Sequence, residues 1–209
     1  MLELSVPGHF YGFDTGIYLI SAIIGFAISY YAYRAYKLTD SDTHKYLFSA
    51  FSILSAGLLT MCITSAYSYA LWFTTGEMSI FSPLFGIDDI GMWVHFLASF
   101  IAYAMLIMMY APKKYRDKLL ILLPIASNNF IYFNVILFFM ISYVAFRSIA
   151  NYLTTRKRNA MLVMVSFVLI ALYHLFLMFM PFYRGFYAFA HISLIVGFLS
   201  LLYMLIKVE

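Results

Sequence analysis

The feature that most constrains this chain is a series of long apolar runs, separated by short stretches that hold nearly all of its charge. A helix needs about 20 apolar residues to cross the hydrocarbon core of a bilayer. Runs of that kind lie at 15–36, 46–72, 91–110, 130–153, 159–180 and 185–206, and their interiors contain no Lys, Asp or Glu. With 65% of 209 residues apolar and 11% charged, a soluble domain would have to be almost all core, which surface-to-volume scaling forbids. The pattern predicts an all-α, polytopic integral membrane protein of the cell membrane, with the lipid bilayer as its first partner.

A seventh, shorter apolar piece lies at 116–127, and charge decides how to read it. If it crosses with the N-terminus outside, 12 of the 13 basic residues fall on the cytoplasmic side and only Arg184 stays outside. Without that crossing, the Arg147–Arg158 cluster lands on the wrong face. The positive-inside rule therefore predicts a seven-helix bundle, N-terminus out and C-terminus in. The net charge of +4 is a topology device on this reading, and no nucleic acid is expected as partner. Trp72 and Trp93 are expected at outer helix ends as interfacial anchors. The uncharged-to-acidic leader, with Glu3 and Asp14, lacks the basic start of a cleavable signal, so the first span is expected to stay.

The chain also matches itself. Ile28-Ser29-Tyr30-Tyr31-Ala32-Tyr33-Arg34 recurs as Ile141-Ser142-Tyr143-Val144-Ala145-Phe146-Arg147, each at the cytoplasmic end of a span. Extending the match sets Gly91–Tyr110 against Gly185–Met204. The result is a 3+1+3 pseudo-repeat with its halves related by a two-fold along the membrane normal. The aromatic-Ala-aromatic-Arg ending followed by a polar loop and a long second span resembles small prokaryotic membrane proteins and seven-helix input modules of sensor kinases, over about 30 residues and through an unspecific motif. A retinal protein is excluded in contrast, because the last span has no interior lysine for a Schiff base.

Ionisable groups inside spans are costly and so become functional candidates. Three qualify: His95, His174 and His191. At 1.5 Å rise per residue, His95 lies about 6 Å inside the third span and His191 roughly 9 Å inside the seventh. His174 lies a similar distance before the outer end of the sixth. All three therefore share an outer-leaflet layer, with His95 and His191 at near-equivalent repeat positions. Two opposed imidazoles in an apolar slot can ligate haem b. Three at one depth can instead hold zinc or copper, with Asp14 or Asp88 as fourth ligand. The bland alternative is helix bridging by hydrogen bonds. Asn134, with Asn128 and Asn129, is read as serving a tight turn, and Cys62 as a small buried hydrophobe.

Three functions follow. The first is a haem b-binding, quinol-linked redox subunit for electron transfer. The second is a non-enzymatic seven-helix sensor, receptor or accessory subunit, within a larger membrane complex or a homo-oligomer. The third is a small 3+1+3 transporter. No nucleophile elbow, phosphate loop or metalloprotease pattern is present to name a catalytic residue.

Overall fold

The computed structural model describes residues 11–75, 87–111 and 130–208. The described elements are six α-helices: α1 Tyr11–Thr39, α2 Asp42–Thr75, α3 Ile87–Tyr110, α4 Phe130–Thr155, α5 Arg158–Phe179 and α6 Gly185–Val208. All six are long and apolar enough to cross a membrane, so the chain is a multi-pass membrane protein. The short crossing read at 116–127 lies outside the described residues.

Several helices outrun the apolar segments that announced them. Backbone groups inside hydrocarbon must be bonded within the helix, and the ladder simply continues into the interfacial zone. One consequence corrects the sequence reading. Asp14, assigned there to a leader, lies in the first turn of α1 and within the apolar span Phe13–Thr39, so the spans do contain a carboxylate. α3 likewise starts one turn earlier than expected, which sets His95 a turn deeper.

Two connections are only two residues long. α1 stops at Asp40, whose φ of 48° is left-handed and whose N–H donates to the Tyr36 carbonyl at 2.8 Å. α4 stops in the same way at Arg156, with φ 54° and a 2.8 Å bond to Tyr152 O. A left-handed residue after the last turn ends a helix by capturing an orphan carbonyl. With Ser41 and Lys157 as the only other linkers, α1/α2 and α4/α5 must be antiparallel neighbours.

Two other pairs run parallel. Asp14–Tyr187, Tyr18–His191 and Gly25–Phe198 all bring α1 against α6, each pair 173 positions apart. A constant separation over three levels is the mark of parallel, in-register helices. On α3 and α4, Phe133 stacks on Phe96 at 4.1 Å, while farther along Arg147 acts electrostatically on Tyr110. These two pairs again share one separation. α3 therefore ends at one face of the bundle and α4 begins at the other.

Among the described elements each helix packs on its chain neighbours, and α6 returns to α1 to close a ring. Helices α1, α3, α4 and α6 run one way, α2 and α5 the other. Arg34, Lys37, Lys45, Arg147, Arg156, Lys157, Arg158 and Lys207 consequently gather at one end, and Arg184 alone of the described basic residues lies at the opposite end. Ile23, Ile63, Phe139, Phe146 and Leu199 are exposed on the outside of the ring, where only lipid tails can cover them without cost. Phe51, Leu58, Tyr103, Phe167 and Phe198 fill its interior, with Phe51 and Phe198 meeting at 5.3 Å between α2 and α6.

Candidate functional site

The buried polar groups concentrate near the end of the ring where α1, α3, α4 and α6 begin. His174, on α5, is fully enclosed, and both of its nitrogens are taken. Nδ1 lies 3.0 Å from Asn134 Oδ1 on α4, and Nε2 lies 2.8 Å from the Tyr103 hydroxyl on α3. A carbonyl oxygen can only accept, so Nδ1 carries the hydrogen and Nε2 accepts from Tyr103. This imidazole ties three helices together.

His191, on α6, is equally enclosed but has no hydrogen-bond partner on either nitrogen among the described residues. Three tyrosines surround its ring: Tyr187 at 4.4 Å, Tyr18 at 5.4 Å and Tyr173 at 5.7 Å. Tyr173 also touches His174 at 4.8 Å and so links the two imidazoles through its ring. Beyond Tyr187, the phenol donates to Asp14 Oδ1, which places a buried carboxylate at the edge of the same cluster.

His95, on α3, lies against Gly57 of α2, where the absence of a side chain lets the helices approach. A methyl group on Gly57 would come within 2.6 Å of Ala98 Cβ and 3.4 Å of His95 Nδ1. That Nδ1 is buried and without a partner among the described residues. His95 is within electrostatic range of both His174 and His191. α3 and α6 make no direct backbone approach in the ring, so His95 and His191 project from helices that are not neighbours.

The three histidines read from sequence thus do converge, in two chemical states: His174 is saturated, while His95 and His191 keep unpartnered nitrogens. No group of three or more His, Cys, Asp or Glu side chains is drawn together to hold a metal among the described residues. Asp14 is bonded to Tyr187, and the Asp88 side chain lies outside the described residues. His44 bonds Thr39 Oγ1 at 3.0 Å across the α1/α2 turn.

One sequence expectation changes. Asn134 serves no turn; it is buried inside α4 as the Nδ1 partner of His174. Trp93 packs edge-on against Phe133 at 4.8 Å on the α3/α4 seam. The Trp72 side chain lies outside the described residues. Sequence reasoning missed Tyr18, Tyr103, Tyr173 and Tyr187, because 19 tyrosines spread through the spans and the interfaces carry no positional signal. Asn134 had one: an amide inside an apolar run needs a partner there.

The arrangement defines an integral, multi-pass membrane protein with a buried histidine–tyrosine cluster near one face. In comparisons with known proteins, no family model, curated protein or solved structure matches the chain.

Proposed function

We propose that this protein is a membrane redox subunit in which His95 and His191 hold haem b near the outer face. The observation that carries this reading is the division among the histidines. A buried imidazole with neither nitrogen bonded forfeits its hydration without return, and iron ligation would satisfy one nitrogen of His191. The same holds for Nδ1 of His95, whereas His174 is already satisfied and serves as a neighbour. When bound, haem b would supply one-electron exchange with a quinol or an external donor. The chain's own part would be to present two imidazoles from helices that are not neighbours.

The orientation and the repeat belong to the same proposal. We read the chain as seven spans with the N-terminus out, since parallel α3 and α4 need a return across the bundle between them and the basic end then faces the cytoplasm. The repeat carries Tyr18 to position 131, whose register partner across the α3/α4 seam is position 94, beside His95. Tyr18's own partner across the α1/α6 seam is His191. Two-fold duplication of the halves accounts for that correspondence.

The test is the reduced-minus-oxidised spectrum of protein purified from haem-replete cells. A sharp α band that disappears in His95→Ala and in His191→Ala, and persists in His174→Ala, is the expected result. A colourless, folded preparation overturns the haem reading and leaves the second one, a non-enzymatic sensor or accessory subunit. That alternative is favoured by the two-residue turns Asp40–Ser41 and Arg156–Lys157, which among the described residues leave little on the basic face to act without a partner.

A further inference from the structure

Besides the imidazole nitrogens, three hydroxyls are buried without a hydrogen-bond partner among the described residues: Ser21 on α1, Ser55 on α2 and Ser99 on α3. A serine in an apolar helix ordinarily bonds the carbonyl three or four residues back. Ser148, Ser166 and Ser193 do so here, at 2.7, 2.7 and 2.8 Å. Ser21, Ser55 and Ser99 lack even this local bond.

These groups occupy one layer. Contacts of Gly57 with Ala98 and of Gly91 with Thr64 set an antiparallel register that places Ser55 opposite the Ser99–Phe100 step. Gly25, one turn from Ser21 on the same face of α1, lies directly against the Ser55 hydroxyl. His191 packs on Tyr18, three residues from Ser21, and His95 is one turn from Ser99. Four helices thus direct unpaired donors and acceptors into a slab about two helical turns thick. Isolated misses would be scattered through the bundle; misses confined to one slab indicate a shared complement.

The chemistry of the layer selects the guest. Its unpaired atoms are hydroxyls and imidazole nitrogens, all uncharged, while the carboxylate of Asp14 is engaged with Tyr187. A divalent cation would lack ligands there, since no three His, Cys, Asp or Glu side chains are drawn together among the described residues. Water is neutral, both donates and accepts, and needs only two to four polar partners. We propose that Ser21, Ser55 and Ser99, with one free nitrogen of His191, hold a cluster of ordered water inside the bundle, a hydrated chamber enclosed by apolar side chains. The serines carry this inference, which does not rest on haem.

The sign of a stability change tests it. In a dry layer, Ser21→Ala, Ser55→Ala and Ser99→Ala each delete an unsatisfied group and raise the melting temperature of the purified full-length protein. In a hydrated layer each variant strips a partner from bound water and lowers it by about 2–4 °C. A rise in all three overturns the proposal. Radiolytic footprinting of the wild type gives a reading independent of any variant, since radicals formed from internal water label what they touch. Oxidation of His191 well above that of the equally enclosed Phe167 is expected, and labelling no greater than that of Phe167 overturns the chamber whether or not the preparation is coloured.

Discussion

Tyr103 and His174 are joined by a 2.8 Å hydrogen bond between α3 and α5, and the imidazole's other nitrogen is fixed by Asn134 of α4. One side chain therefore orients three helices and sets its own tautomer. The bond is fully enclosed, and neither group has water to fall back on.

Removing one partner from such a pair leaves the other unsatisfied. Tyr103→Phe strands Nε2 of His174 and is expected to cost about 1–3 kcal/mol. Asn134→Leu should cost a similar amount through Nδ1. The double variant should cost less than the sum, because the groups share one network. Denaturation of the purified protein measures all three, and additive losses would refute a common network.

The carboxylate of Asp14 is buried in a span with the Tyr187 hydroxyl donating to it. Tyr187→Phe should destabilise by about 1.5–3 kcal/mol, the range of hydrogen bonds to charged groups. Asp14→Asn keeps an acceptor oxygen and should be milder than Asp14→Leu, which keeps none. Equal melting temperatures for the Asn and Leu variants would mean that this bond carries no weight.

Gly57 and Gly16 make a matched pair of substitutions. A methyl at Gly57 meets Ala98 at 2.6 Å, so Gly57→Ala must push α2 off α3, at about 1–3 kcal/mol. A methyl at Gly16 meets nothing within 4 Å, so Gly16→Ala should stabilise α1 by up to about 1 kcal/mol through helix propensity. Opposite signs in thermal unfolding are expected. A neutral Gly57→Ala would show that the α2/α3 approach is looser than this packing requires.

The registers also predict sidedness. In a Cys62→Ser background, cysteines placed at Thr39 and Thr155 should react with an impermeant maleimide from one face of sealed vesicles, and one at Tyr183 from the other. Labelling of 39 and 155 from opposite faces would contradict parallel α1 and α4, and would separate the histidines in depth.

Much of the fold was readable beforehand, for a simple reason. Apolar run length and charge position act locally, one helix at a time, and the bilayer judges each run independently. The apolar runs therefore announced the six described helices, and the described basic residues other than Arg184 share an end, in keeping with the charge count. The helix that carries each of His95, His174 and His191 also followed, although α3 begins a turn earlier than its apolar run and His95 lies that much farther from its start.

Facing direction and partnership did not follow. Helices that are apolar all round have no amphipathic stripe to say which side turns inward. Nothing in the sequence distinguishes Tyr103, which donates to His174, from Tyr143, which is exposed on the outside of the ring. Asp14 looked like a leader residue until α1 was seen to include it and Tyr187 to bind it. The saturation of His174, the two unbonded nitrogens of His191 and the layer of unpaired serines arise only when the ring closes, since a hydrogen bond between helices depends on rotation about each helix axis, and tertiary packing alone sets that rotation.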